Sequence, residues 1–486
     1  MADIGKDVSQ KNKPSVKLSA KPSISHVKGS PKAAKQQPKA TALLSGLAWP
    51  KLPTTSSIQA MALQTQFAMI EWWPAEKIKH FQMGQLQLLI NHAHKTVPYY
   101  KDILAPLANK PAGTLSMDEF RKLPFLTRRI IQDAEAGGEL TTNALPAGHG
   151  RIIETRTSGS TGRPMKAKCS SLTALMYAAQ GIRYHMWHKR DLSLKNMNIR
   201  RREADYKLEK SRGWAPGSTG INIGAAQQWP MSEVLDILIK EDPHYVQCYP
   251  ATLRGLLRIA KTKDVVPKSL REVRTVSEIL DPGLVARAAQ QWGIKVTNNY
   301  STNELNIVAL QCPDNPDAMH VMSESVLLEV LNEDGSACKP GETGRCVITT
   351  LTNYAMPMIR YEYGDYAEVG PACNCGRGLP VLKRIAGRQS NQMILPNGDR
   401  FTIGLPPDDA LFDLPIRQYQ LVQTSLEEVE VRVVTDRKLT QDEERRLTGI
   451  YTDRHKYPFR FVVRYMDEIL GLPNGKFELF RCEVNR

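Results

Sequence analysis

The sequence predicts an α/β protein made of a large N-terminal domain and a small α+β C-terminal domain, and three observations carry that expectation. Between residues 245 and 299, strand-like runs at 245–248, 273–276 and 295–299 alternate with helical patterns at 251–261 and 284–292. Strands separated by single helices of this length form largely parallel sheets. A loop dense in Ser, Thr and Gly follows an extended run at 151–155, as in folds that cradle a polyphosphate at the end of a strand. After Gly387, strand patterns at 419–423, 428–434 and 460–465 surround one helical pattern at 441–451, which reads as a separate small unit.

A chain of 486 residues exceeds one ordinary core and implies two or three folding units. Its apolar fraction of 41% and charged fraction of 24% are those of a globular enzyme. No apolar run approaches the roughly 18–20 residues that span a bilayer, and the first residues lack the apolar core of a secretory signal, so no membrane partner is expected and the cytoplasm is the default. Eight cysteines over this length do not form a small disulfide scaffold. The net charge of +15 is uneven: residues 1–40 hold nine lysines against two aspartates, so +7 sits on a stretch rich in Pro, Ser, Ala and Gln. Residues 1–55 therefore read as a disordered basic tail. The remaining +8 suits a protein that handles anionic substrates and does not call for a nucleic-acid partner.

In chain order, 78–103 is helical in its first part, with Leu86, Leu89, Ile90, Ala93 and Val97 at spacings of three and four until Pro98 breaks the pattern. Residues 118–125 form a short helix stopped by Pro124, and 171–184 a second helix. The basic and polar crowd at 185–212 is expected to be a solvated rim. Strands follow at 325–331 and 345–350, separated by a stretch opening with the turn Glu333-Asp334-Gly335. The domains are thus expected at 56–386 and 387–486.

Four segments carry candidate chemistry. Thr157, Ser158, Gly159, Ser160, Thr161 and Gly162, followed by Arg163 and Lys166, can aim backbone N–H groups, hydroxyls and a cation at one point. The loop lacks the Gly-Lys-Ser/Thr ending of a Walker loop, and by itself it could equally be a polar connector. Tyr300-Ser301-Thr302-Asn303-Glu304 puts a carboxylate at the end of a predicted strand, where open α/β sheets bind ligands. Arg360-Tyr361-Glu362-Tyr363-Gly364-Asp365 offers an acid suited to a pair of ribose hydroxyls. Asn474-Gly475-Lys476 presents a lysine after a turn near the C-terminus. Singly each is weak; their joint order is not.

That order resembles the adenylate-forming superfamily, in its phenylacetate–coenzyme A ligase and capsular-polysaccharide (CapK-like) branch, from Gln85 to near Phe480. Further matching segments are Ala93 to Tyr100, Lys122 to Thr127, Gln247-Cys248-Tyr249-Pro250, Ser277-Glu278, Met356 to Asp365, and Gly387-Arg388. The resemblance implies ATP- and Mg2+-dependent activation of a small carboxylic acid as acyl-adenylate, then transfer to coenzyme A or to an amine. It implies that residues 157–166 hold the β- and γ-phosphates and that Glu304 binds Mg2+. Tyr300 would stack on adenine, with Glu278, Asn299, Ser301 and Thr302 around the nucleotide, and Asp365 would fix the ribose. Arg388, at the hinge, would contact ribose or phosphate. Lys476, on a mobile C-terminal domain, would bridge carboxylate and α-phosphate. Tyr249, Pro250 and Ser277 would line the acid pocket. It also implies a structural zinc on Cys312, His320, Cys373 and Cys375, the alternative being free thiols beside an unrelated histidine.

Two departures stand out. Asn303 occupies a position where much of the superfamily has a hydroxyl residue, and Gln389-Ser390-Asn391 replaces the acidic pair that follows the hinge arginine. The second leaves the acceptor open between coenzyme A and an amine. A non-catalytic nucleotide-binding member of the fold is the rival from another class. A homodimer is compatible with this reading, but the sequence does not report oligomeric state.

Overall fold

The computed structural model describes residues 55–111, 113–156, 165–199, 208–212, 219–223, 230–388, 392–398, 400–402, 411, 414–452, 457–470 and 477–484. The expected tail up to residue 54, the loop 157–164, Gln389 to Asn391 and Lys476 lie outside the described residues.

The described helices are α1 (Thr55–Ile70), α2 (Ala75–Thr96), α3 (Met117–Phe120), α4 (Arg128–Ala136), α5 (Ser171–Trp187), α6 (Met231–Glu241), α7 (Pro250–Lys263), α8 (Pro282–Trp292) and α9 (Gln441–Thr452). The strands are β1 (Ile152–Arg156), β2 (Lys166–Ser170), β3 (Asn196–Ile199), β4 (Leu208–Arg212), β5 (Thr219–Ile223), β6 (Tyr245–Cys248), β7 (Glu272–Val276), β8 (Lys295–Thr302), β9 (Asn306–Gln311) and β10 (Met319–Val321). They continue as β11 (Val326–Leu331), β12 (Thr343–Thr350), β13 (Tyr361–Val369), β14 (Val381–Arg388), β15 (Gln392–Ile394), β16 (Arg400–Thr402), β17 (Ile416–Gln423), β18 (Glu428–Thr435), β19 (Arg460–Tyr465) and β20 (Phe480–Cys482).

Local chemistry accounts for the helices that frame the site. Ser170 caps α5 by accepting from the Thr173 N–H at 3.2 Å. In α8, Asp281 accepts from Gly283, Pro282 takes the first position, and Gly293 ends the helix at φ 67°. Pro250 likewise opens α7, which Asp264 closes in the left-handed region.

One sheet of twelve strands organises the chain, in the order β11-β12-β13-β14-β10-β9-β8-β7-β6-β3-β5-β4. Its middle, β5-β3-β6-β7-β8, is parallel, as the alternation at 245–299 predicts. The flank from β8 to β11 is antiparallel throughout, so the sheet as a whole is mixed. On one face of the parallel half, α6, α7 and α8 bury Met197, Val246, Leu253, Leu257, Val273 and Val296. Residues of α2 and of the antiparallel flank form the largest core, centred on Leu86, Leu89, Ile90, Val308 and Ile348. A second sheet, β19-β18-β17-β20, packs its own core of Leu421, Val431, Leu447 and Tyr451.

The expectation of a solvated rim at 185–212 holds only in part: Met186, Lys189, Asp191 and Ser193 are exposed, but the segment also enters the core. Trp187, Arg190, Asn196 and Met197 are buried, and β3 is an interior strand. Arg190 is satisfied by the carboxylate of Glu272, at 2.8 Å through Nε and 2.7 Å through Nη2. Charge alone does not keep a side chain in solvent when a buried partner can pair with it. The helix α1 was not foreseen either.

Candidate active site

The site gathers at one end of the parallel strands, where β8 and the antiparallel flank meet. Glu304 sits in the tight turn between β8 and β9, shaped by the Leu305 N–H donating to Thr302 Oγ1 at 2.9 Å and by Asn306 at φ 61°. The residue is buried and borders a small cleft lined by Thr173, Tyr177, Gln180, Asn306 and Thr350. These donors are oxygens with one carboxylate, which suits a hard cation such as Mg2+ better than a soft one.

Asp365, on β13, lies opposite Arg388 in the β13/β14 register, with 3.7 Å between Asp365 Oδ1 and Arg388 Nε. Its other oxygen accepts from the Tyr300 hydroxyl at 2.9 Å. Three segments far apart in sequence therefore converge on one carboxylate. The Tyr300 ring is buried, and burial together with Asp365 raises its hydroxyl well above the ordinary range, so it stays a donor. Glu278 follows β7 and Ser277, which has φ 67°; its carboxylate accepts from the Ala251 N–H in the first turn of α7 at 3.0 Å. An acid there is favoured by the unpaired N–H groups of a helix start. Tyr249 and Pro250 form that start, so three expected pocket positions share one corner. Asn299 accepts from Ser301 Oγ at 2.8 Å. Lys166 is exposed at the first position of β2, opposite Arg156, the last residue of β1.

Several residues at the site were not singled out from sequence. Tyr363 is partly buried, and desolvation with the carboxylates of Glu304 and Asp365 pushes its hydroxyl well above the ordinary range. Tyr361 is raised by burial and Glu304, and Arg128 at the start of α4 pulls it back. A backbone bridge places that segment, the Leu126 N–H donating to the Arg360 carbonyl at 2.9 Å. Glu478 lies beside Arg388, which remains charged despite burial because Tyr363 and Asp365 favour the cation. The signal for Tyr361 and Tyr363 was available: with Asp365 they alternate along one strand.

Cys312, His320, Cys373 and Cys375 come together, their ligating atoms all within 4.8 Å of one another. The Sγ atoms of Cys312 and Cys373 are 3.9 Å apart, and Cys375 Sγ is 3.3 Å from His320 Nε2. A zinc tetrahedron with metal–sulfur bonds of about 2.3 Å has edges of roughly 3.8 Å, so the donor set fits. His320 Nδ1 faces the Leu379 carbonyl at 3.4 Å, leaving Nε2 for the sulfurs, and burial lowers its pKa to about 4, keeping the ring neutral. Burial pushes the Cys312 thiol up to about 12; hydrogen bonds from Arg377 outweigh burial at Cys375 and hold that thiol below its usual value. Arg377 also donates to Glu71 at 3.0 Å and Asp314 at 2.8 Å, tying this corner to the end of α1.

The fold is a large mixed sheet with a small appended sheet, and Glu304 stands beside the Tyr300–Asp365–Arg388 cluster. No family model matches the sequence. The chain is 23% identical to the phenylacetate–coenzyme A ligase of Thermus thermophilus over 386 residues, 75% of this chain and 83% of the relative. It is 24% identical to that of Escherichia coli over 417 residues, 82% and 91% respectively. In structure it resembles 2-hydroxyisobutyryl-CoA ligase in its post-adenylation state, with a TM-score of 0.67, 17% identity, and coverage of 86% of this chain and 91% of that one. The chain is thus similar to phenylacetate–coenzyme A ligases over most of its length.

Proposed function

We propose that this protein activates a carboxylic acid with ATP and Mg2+ and passes the acyl group to coenzyme A. The observation that carries the reading is the convergence of Tyr300 and Arg388 on Asp365 beside Glu304. In the first step a carboxylate oxygen bonds to the α-phosphorus as the bond to pyrophosphate breaks; in the second the acceptor sulfur bonds to the acyl carbon and AMP leaves. Both steps place negative charge on phosphoryl oxygens, so the protein contributes chiefly positioning and electrostatic stabilisation. Asp365, oriented by Tyr300 and Arg388, accepts hydrogen bonds from the ribose hydroxyls. Glu304 holds Mg2+, which supplies charge neutralisation at the phosphates. Residues 157–166 hold the β- and γ-phosphates, while Glu278, Asn299, Ser301 and Thr302 border the nucleotide and Tyr249, Pro250 and Ser277 the acid.

Lys476 completes the set on a C-terminal domain that begins at Gly387 and moves. Two observations support this. Its neighbour Phe477 has its N–H 3.5 Å from Glu278 Oε1, and Glu478 lies beside Arg388. Gly387 adopts φ 87°, where a Cβ would come 2.8 Å from Ile279 Cδ1, so the hinge needs glycine. We also assign a structural zinc to Cys312, His320, Cys373 and Cys375, with no part in the reaction. None of the eight cysteines forms a disulfide, consistent with a reducing compartment such as the cytoplasm. Among the described residues no helix is long and apolar enough to cross a membrane.

A panel of carboxylic acids scored for ATP-dependent pyrophosphate release, with coenzyme A, with amines and with neither, tests the reading. Pyrophosphate release with acyl-AMP formation, and a thioester only when coenzyme A is added, is expected. Release with no thioester but an amide would move the acceptor to an amine, and no release with any acid would refute adenylation.

A further inference from the structure

One helix ties the nucleotide corner to the small sheet. The first turn of α7 donates to Glu278, and two turns later Arg258, on the same helix, reaches the other unit. Its Nη1 donates to the Ile416 carbonyl at the start of β17, and its Nη2 lies 3.0 Å from Asp436 Oδ2 just past the end of β18. Asp436 is pre-set for this contact: its N–H donates to the Pro415 carbonyl at 3.0 Å, and Arg417 Nε holds its other oxygen at 3.3 Å. The same unit supplies Phe477 to Glu278 and Glu478 to Arg388, so the grip is made while the residues flanking Lys476 face the nucleotide corner.

We propose that Arg258 is a positioning residue, clasping Asp436 and the Ile416 carbonyl to hold the Lys476-bearing domain over the nucleotide for adenylation and releasing it for acyl transfer. The proposal rests on the adenylation reading above. The geometry suits a contact that must open in every cycle. Asp436 has a half-exposed side chain, and an ion pair at that exposure is worth little enough to break readily. Arg258 also has no place in chemistry, since its partners are a surface carboxylate and a backbone carbonyl of another unit.

The test uses the full chain with Arg258→Glu, Asp436→Arg and the double exchange, assayed with the panel acid that releases pyrophosphate fastest and with its synthetic adenylate. Arg258→Glu is expected to lower the kcat of pyrophosphate exchange about five- to tenfold with little change in acid KM. Thioester formation from supplied adenylate should be unchanged or faster, the radius of gyration in solution scattering should increase, and the double exchange should restore both exchange and compactness. Equal loss in both half-reactions, undiminished exchange, or failure of the double exchange to rescue would overturn the clasp. If the unmodified protein released no pyrophosphate with any acid of the panel, the functional reading would fail while scattering still decided the clasp: expansion in Arg258→Glu reversed by the double exchange supports it, and identical scattering overturns it.

Discussion

Two buried polar clusters sit on neighbouring strands of the same sheet and are built in opposite ways. Around Asp365, the groups are charged or strongly polar and come from β8, β13 and β14, and Glu304 near them borders a cleft. At Cys312, His320, Cys373 and Cys375, the donors come from the ends of β9 and β10 and the β13–β14 connection and close on one another within 4.8 Å. A cluster of mixed charges beside a cleft suits a ligand that comes and goes; a closed set of thiols and an imidazole suits a resident ion. The first should govern rates and leave folding nearly untouched, and the second should do the reverse.

The largest expected effect is Lys476→Ala, which should lower adenylation at least about a thousandfold while ATP binding by calorimetry changes little. Undiminished turnover would remove the residue from the reaction. Asp365→Ala should raise the KM for ATP about ten- to a hundredfold, because a carboxylate aimed at paired hydroxyls is lost; a change in melting temperature without a KM effect would place Asp365 among the structural residues. Tyr300→Phe removes the hydroxyl that orients Asp365 and should cost about three- to tenfold in the same KM.

Across the sheet, Cys373→Ser should release one equivalent of zinc and lower the melting temperature by about 5–10 °C, with adenylation of the folded protein within about twofold of the parent. A large loss of activity at unchanged stability would dissolve the contrast between the clusters. The smallest effect separates both from a third polar layer beneath α5. Burial lowers His185 to about 2 and His188 to about 3, so both rings are neutral when folded. Their unfolded-state pKa is near 6.5, so the unfolded chain takes up protons that the fold refuses. Stability should therefore be full above pH 6.5 and decline as pH falls from there toward 3, by about 1 kcal/mol per unit for each ring. Urea midpoints for the parent and His188→Asn check this, with the variant expected to show the shallower decline.

Much of this organisation is legible in the sequence, for a local reason. The strand and helix at 245–261, the helix at 284–292 and the strand 460–465 depend on periodicity and on residues within a few positions of one another. The order of Glu304, Asp365, Arg388 and the four zinc candidates is likewise written along the chain. What sequence reading missed was non-local. At 185–199 the charge of Arg190 reads as solvent-facing until Glu272, 82 residues on, is seen to pair with it. Arg258 looks like one exposed arginine among many until Asp436, 178 residues away, is folded against it.

The sequence by itself determined which elements form and which side chains can act, because helix and strand periods, caps and glycine-dependent turns are set within a few residues. Only the tertiary structure decided that Tyr300 spends its hydroxyl on Asp365, that Cys312 meets Cys373 with 3.9 Å between their sulfurs, and that α7 grips the small sheet. Each of those contacts joins strands or helices whose separation in sequence carries no information about their distance, and burial in the assembled sheet is what gives the contact its strength.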